Sequence, residues 1–423
     1  MIDTIFALSS GRPPAAIAVL RVTGAKALEI LRNMSGSDPE PRRATLVTLR
    51  DGDNILDRAL ALRFDAPNSV TGEDMVELHL HGGRAVVEAV SAALARMDGV
   101  RAAEPGEFTR RAFANGKLDL TEAEGLADLL AAETEGQRRA AIATAGGALS
   151  RKVSDWTDRL LALAASVEAQ LDFSDEGDVE SGLPPSWEEA RQALRGEIAL
   201  LLSRPPAERL RDGIRVVIAG PPNSGKSTLL NAIVQREAAI TSDIAGTTRD
   251  LIEVPVAIGG LPFLLIDSAG LRESGDQIEA IGIGRAEAAI AAADLVLWLG
   301  DPARPPSRDK VLVIHAKADL GATASGAISL SALTGQGVPE LLALLASEAR
   351  QLLPGPDELA ANARQRQALA SALDHLDATE GQDDLLIVAE ELRRARLALD
   401  AVTGRAGVEH MLDALFGRFC IGK

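Results

Sequence analysis

Ile214-Arg215-Val216-Val217-Ile218-Ala219-Gly220-Pro221-Pro222-Asn223-Ser224-Gly225-Lys226-Ser227 is the stretch that decides the fold. Its first six residues are an apolar, β-branched run of the kind that forms a buried strand. Gly220 to Ser227 then matches G-x-x-x-x-G-K-S/T, and Thr228 to Val234 reads as helix. Strand, glycine-rich turn and helix in that order are the context a phosphate-binding loop requires. Glycine lets successive backbone N–H groups turn toward a phosphate, and the helix adds its positive N-terminal end. Lys226 is expected to pair with the β and γ phosphates and Ser227 to ligate Mg²⁺. Asn223, Ser224, Gly225 and Thr228 complete the expected nucleotide contacts.

Reading outward, Asp267-Ser268-Ala269-Gly270 ends another apolar run. That is the place for an Mg²⁺-linked Asp and a glycine that senses the γ-phosphate. Gly246-Thr247-Thr248-Arg249-Asp250 lies between the two, and a threonine there can put its hydroxyl on Mg²⁺. Val254 to Ile258 and Leu261 to Ile266 flank Gly259-Gly260, a hairpin signature. Leu295 to Leu299 and Val311 to Ile314 supply further buried strands. With helical stretches between them, residues 212–350 read as a doubly wound α/β domain. His315-Ala316-Lys317-Ala318-Asp319 resembles the guanine-reading N-K-x-D loop, with Ala316 in the Asn position. Asp319 can still accept two charge-assisted hydrogen bonds from a guanine edge. Ser331, Ala332 and Leu333 resemble the last guanine-contacting loop. The expectation is weakened but guanine-selective binding.

The flanks differ in texture. Residues 1–118 are mixed α/β, with β-prone runs Ala16–Val22, Ala59–Phe64 and Met75–Leu80 and a helical stretch Ala85–Met97. Residues 119–211 are rich in Ala, Leu and Glu, which favours long helices. Residues 351–423 return to that texture after Pro354-Gly355-Pro356. Two alike helical segments around the α/β unit predict one helical domain into which that unit is inserted.

Of the 423 residues, 46% are hydrophobic and 25% charged, which excludes a disordered chain. No run of about 18 uncharged apolar residues predicts a membrane span, and no secretory leader is evident at MIDTIFALSSGRPP. The one cysteine, Cys420, fits a reducing, cytoplasmic setting. Net charge is -17, with 15 basic and 15 acidic residues in 1–118 and the excess acid elsewhere. Such a chain lacks a broad electrostatic footprint for nucleic acid, so RNA contact needs a local patch or a basic partner. His79 and His81 share one strand face, but no further ligands suggest a metal, and a structural role is expected.

These motifs together resemble the MnmE (TrmE) family of tRNA-modification GTPases over almost the whole chain. Thr71-Gly72-Glu73-Asp74, His81-Gly82-Gly83, Pro105-Gly106-Glu107-Phe108-Thr109, Arg111-Ala112-Phe113 and Lys117-Leu118-Asp119-Leu120 occur in family order. Asp243-Ile244-Ala245-Gly246-Thr247-Thr248-Arg249-Asp250 and the terminal Phe419-Cys420-Ile421-Gly422-Lys423 are its most specific matches. The resemblance implies a folate-binding and dimerising N-terminal domain and a split helical domain with an inserted Ras-like GTPase domain. It implies a potassium-dependent GTPase that forms homodimers. With the FAD-dependent partner MnmG (GidA), in a heterotetramer or larger assembly, it modifies the wobble uridine of certain tRNAs at carbon 5. The group added is carboxymethylaminomethyl or aminomethyl. The cofactors implied are GTP, Mg²⁺, K⁺ and a tetrahydrofolate derivative, 5-formyl- or methylene-tetrahydrofolate.

Residue by residue, the resemblance places K⁺ against Asn223, Ser242, Ile244 and Thr247. Asp243, Ala245, Gly246 and Thr248 complete the switch loop, and Thr248 joins Ser227 on Mg²⁺. A cation near the β–γ bridge neutralises transition-state charge. The family's water-ordering glutamate aligns with Glu279. The catalytic set is therefore Glu279, Thr247 and Lys226. Folate is assigned to Arg21, Glu77, Lys117 and Lys423, a carboxylate for the pterin edge and cations for the glutamate tail. Cys420 is assigned to the modification centre.

The sequence departs from the family at Ala316, at Ser268 in place of Thr, and at Gly11-Arg12-Pro13-Pro14-Ala15-Ala16, where prolines stiffen a glycine-rich loop. The segment Gly300–Lys310 is short and Pro-rich. A rival reading from another class is a GTP-controlled RNA-binding or ribosome-assembly switch without modification chemistry.

Overall fold

The computed structural model describes residues 3–172, 183–237, 252–268, 286–321, 327–355, 358–405, 415–417, 419 and 422. They divide into two compact units, residues 1–127 with 400–423, and residues 128–399.

The first unit is built on a six-stranded sheet: β1 (Thr4–Leu8), β2 (Ile17–Thr23), β3 (Thr45–Asp51), β4 (Asn54–Phe64), β5 (Met75–His81) and β6 (Val100–Ala102). Its order is β3-β4-β5-β2-β1-β6, antiparallel except for the β1–β6 pair. Side chains alternate between faces along each strand. Ala18, Leu20, Val22, Leu78 and Leu80 point to a core closed by α1 (Ala27–Ser35) and α2 (Arg84–Ala95). On the opposite face Ile17, Leu46 and Leu60 stay exposed, at 58%, 59% and 44%. Next come α3 (Glu107–Ala114) and α4 (Leu120–Ala131). Ala123 packs with Phe416 and Phe419 near the chain's end. Gly422 sits beside β1, where an added Cβ would lie 2.3 Å from the Leu8 carbonyl oxygen, so only glycine allows this approach.

The second unit holds α5 (Glu135–Ala145), α6 (Ala148–Asp172), α7 (Pro185–Ser203) and α8 (Ala207–Arg211). After its α/β portion come α11 (Ala363–Asp377) and α12 (Leu385–Thr403), whose last residues lie in the first unit. Trp187 of α7 donates its indole N–H to the Leu163 carbonyl of α6 at 3.0 Å. The buried Arg191 guanidinium reaches the Leu376 carbonyl of α11 at 3.1 Å.

The α/β portion is a second six-stranded sheet. It contains β7 (Ile214–Ala219), β8 (Ile252–Ile258), β9 (Leu261–Asp267), β10 (Leu295–Trp298), β11 (Val311–His315) and β12 (Ile328–Ser329). The order is β12-β11-β10-β7-β9-β8, and every pair but β8–β9 is parallel. Ile214, Val216 and Ile218 pack beneath α9 (Lys226–Arg236) and α10 (Val338–Leu352). Val217, Ala219 and Val296 face partly buried Ala289 and Ile290 on the other side. Burial on both faces explains the unbroken apolar run of β7. Strands proceed to either side of β7, so the strand order reverses there and a ligand crevice opens at its C-terminal end. Among the described residues no helix is long and apolar enough to cross a membrane.

Candidate functional site

Residues 220–225 leave the C-terminal end of β7 and turn into α9. Gly225 has φ +100°, a conformation side chains disfavour. Asn223 is left-handed as well, at φ 58°, tolerable because Asn populates this region more than other side-chain-bearing residues. Lys226 opens the helix and is buried, and its ammonium donates to the Gly220 and Pro221 carbonyls at 3.0 and 2.8 Å. It therefore lies folded along the loop whose phosphates it is suited to hold. The exposed Ser227 and Thr228 follow on the first turn.

Across the crevice, β9 delivers Asp267. It is fully buried, and Ser227 Oγ donates to its Oδ2 at 2.6 Å. Two oxygen donors in contact at the mouth of a phosphate loop suit a hard divalent cation such as Mg²⁺. Ser268 Oγ donates to the Ile218 carbonyl at 2.9 Å and ties the end of β9 to β7. Its hydroxyl makes that bond without the methyl of a Thr.

The segments read from the sequence as base-recognition loops converge from separate strands. Lys317 and Ser331 form an antiparallel bridge, and the Ala318 N–H donates to the Leu330 carbonyl at 3.1 Å. Lys317 Nζ donates to the Asn223 carbonyl at 3.0 Å, so this loop is braced on the phosphate loop. Asp319 lies exposed in the turn Ala318–Leu320. Ser331 is buried and accepts from the Thr334 N–H at 3.2 Å, Ala332 is half-buried, and Leu333 is exposed. His315, which sequence reasoning passed over, reaches the same crevice. The sequence-read residues Ser242, Asp243, Ile244, Ala245, Gly246, Thr247, Thr248, Ala269, Gly270, Glu279, Cys420 and Lys423 lie outside the described residues.

In the first unit, Arg21 and Glu77 are register partners on β2 and β5, and Arg21 Nε donates to Glu77 Oε1 at 2.7 Å. His79 is next on that face, 3.5 Å from Glu77. His81 pairs with Asp57 at 2.7 Å, and no cluster suited to a metal occurs among the described residues. Lys117 is exposed beside Gly72. Ser9 Oγ donates to the Gly422 carbonyl at 2.9 Å, which sets residue 422 next to the β1–β2 connection.

Sequence reasoning also missed a charged knot that α3 forms with the segments just before β1 and β5. Arg111 is fully buried and touches Asp3, Glu73 and Glu107 at 3.1, 3.1 and 3.0 Å. Burial pushes the Glu107 carboxyl up, but hydrogen bonds from Arg101, the Glu104 N–H and Arg111 outweigh it and hold the group below the usual carboxylate range.

A doubly wound sheet, a strand-loop-helix phosphate cradle and a Ser-Asp pair define a P-loop nucleotide-binding protein. The family model for the MnmE helical domain matches residues 120–420, and that for the GTP-binding protein TrmE N-terminus matches residues 4–117. The tRNA modification GTPase MnmE of Rhizorhabdus wittichii is 58% identical, covering all of this chain and 97% of that protein. The protein of that name from Erythrobacter litoralis is 57% identical over the full length of both. The G domain of the T. maritima FeoB iron transporter matches 32% of this chain and 98% of its own, at 23% identity and a TM-score of 0.24. The chain belongs to the MnmE family of tRNA modification GTPases.

Proposed function

We propose that this chain hydrolyses GTP as the switch of a tRNA-modifying assembly, with residues 212–350 as its GTPase domain. The observation that carries the reading is the phosphate cradle: a buried Lys226 on the loop and Ser227 on Asp267, braced by Lys317. Lys226 would leave the loop carbonyls for the β and γ phosphates, since an ammonium offers donors it can redirect. Ser227 and Asp267, with Thr248, would hold Mg²⁺, which supplies charge neutralisation on the phosphates when bound. Glu279 would order the attacking water, and Thr247 would close the switch loop over the γ-phosphate.

The finer reading adds K⁺ at Asn223, Ser242, Ile244 and Thr247. The test is GTP hydrolysis in KCl against NaCl at matched ionic strength. Stimulation by K⁺ of at least about tenfold is expected for a cation that neutralises transition-state charge. Equal rates in the two salts would overturn the potassium assignment.

In the same reading, residues 1–118 bind the tetrahydrofolate one-carbon donor and form the homodimer, and residues 119–211 and 351–423 form the helical domain. The Arg21–Glu77 pair, the exposed Lys117 and the seat of Gly422 beside Ser9 support a polar, doubly charged ligand near β1 and β2. The exposed Ile17, Leu46 and Leu60 support a second copy on that sheet. Cys420 would lie at the modification centre, and the FAD-dependent MnmG and tRNA would complete a cytoplasmic assembly acting on the wobble uridine.

A further inference from the structure

The guanine-reading motif puts an Asn where this chain has Ala316. Guanine has two unlike edges, one with the N1–H and N2–H donors and one with the O6 and N7 acceptors. A carboxylate only accepts, so Asp319, exposed in the turn Ala318–Leu320, suits the donor edge. N7 needs a donor, which an Asn amide offers and an Ala methyl lacks.

The side chains around Ala316 do not replace that donor. Ala316 lines a half-open crevice with Leu299, Gly300, Pro302, Ile314 and Ala327, none of which has a polar side chain. Ser224, His315 and Lys317 line it too. Ser224 Oγ and His315 Nε2 have no accessible surface, so neither atom can meet a ligand in the crevice. Lys317 Nζ donates to the Asn223 carbonyl at 3.0 Å, which holds the ammonium on the phosphate loop.

We propose that Ala316 leaves N7 of the bound purine unread, so that the site selects guanine through Asp319 and accepts guanine nucleotides altered at position 7. Ala316 is thereby a specificity-determining residue. The proposal rests on the reading of residues 212–350 as a guanine-nucleotide GTPase.

The experiment is calorimetry on the full chain and on Ala316→Asn, with GDP, 7-deaza-GDP, IDP and ADP. 7-Deaza-GDP has a C–H in place of N7 and the same shape, and IDP lacks the 2-amino group. On the parent chain GDP and 7-deaza-GDP are expected to bind within about twofold of each other, since no hydrogen bond separates them. IDP should bind at least about tenfold more weakly, having lost a charge-assisted bond to Asp319. Ala316→Asn should tighten GDP about tenfold and leave 7-deaza-GDP unchanged. A wider gap between GDP and 7-deaza-GDP on the parent chain would overturn the proposal, because N7 would already be read. Ala316→Asn tightening both alike would also overturn it, by showing a gain in loop packing rather than in base reading. Should that variant fail to fold, the parent-chain comparison decides alone. Equal affinity of the parent chain for GDP and ADP would overturn the guanine reading itself, whereas a 7-deaza gap with GDP still preferred over ADP would overturn only the role of Ala316.

Discussion

Arg111 illustrates how one residue can organise a unit. Its guanidinium has no exposed surface and is shared among three carboxylates. Arg101 still pairs with Asp3 and Glu107 when Arg111 is lost, so the cost is about 3 kcal/mol, the low end for breaking a buried charge network. Arg111→Met is therefore expected to lower unfolding stability by about that much in urea titrations, and Arg111→Lys to recover little, lacking the planar fork. A loss below about 1 kcal/mol would mean that solvent already satisfies Asp3, Glu73 and Glu107. The pH dependence has a definite sign. Glu107 is depressed in the folded protein, so its contribution is complete above the ordinary Glu pKa and is lost as pH falls through its folded value. None of this was legible in the sequence, where Arg111 stood only inside a motif. Burial of a charge depends on partners 4 to 108 residues away. The places of Lys226, Ser227 and Asp267 around the loop were legible, because their spacing and flanking strands encode them locally. That His315 shares a crevice with Ser224 was not, since only the folded chain brings the two together.

At the scale of elements, α6 and α7 are joined by more than apolar packing. Glu197 of α7 accepts from Lys152, from Trp156 Nε1 at 3.1 Å and from Arg159 at 2.7 Å, all on α6. Those hydrogen bonds, Lys152 foremost, pull its carboxyl down to about 2. The groups are about one-third exposed, so solvent screening limits the network to about 1 kcal/mol. Glu197→Ala should cost that amount near neutral pH. The deficit relative to the parent chain should shrink as pH falls below the ordinary Glu value toward about 2. Unfolding curves at pH 7 and pH 3 check this, and an unchanged deficit would assign the effect to lost packing. Elements with long, one-sided or doubly buried patterns were readable: the strand Ile214–Ala219 and the hairpin around Gly259-Gly260 fall where the sequence puts them. Elements of weak local signal were not. The three-residue β6 is too short to show a period, and β3 exposes Leu46 where alternation would want a polar group. The nine-residue α1 does carry one, with Ala27, Ile30, Leu31 and Met34 buried at helical spacing, and the reading of the sequence passed over it. Strand order in both sheets is set by long-range pairing, which periodicity does not encode.

For the whole molecule, charge constrains how tRNA is handled. A tRNA is a dense polyanion, and affinity for it comes largely from Lys and Arg contacts that release counterions. This chain carries 61 acidic residues against 44 basic ones, and the first 118 residues are only balanced. Many of its arginines are also spent on internal carboxylates, among them Arg101, Arg111, Arg159 and Arg191. A surface of this kind repels phosphates at long range, so the proposed function assigns to a partner the positive field that draws the substrate in. The chain alone should therefore bind labelled tRNA no tighter than about 1 μM at about 0.15 M salt, the strength of non-specific binding. Adding the proposed FAD-dependent partner should tighten binding by at least about tenfold, with a steeper salt dependence as added basic groups engage the backbone. Fluorescence anisotropy across a salt series measures both terms. Submicromolar binding by the chain alone, with a steep salt slope, would place a basic tRNA surface on this protein and remove the need for a partner in substrate capture.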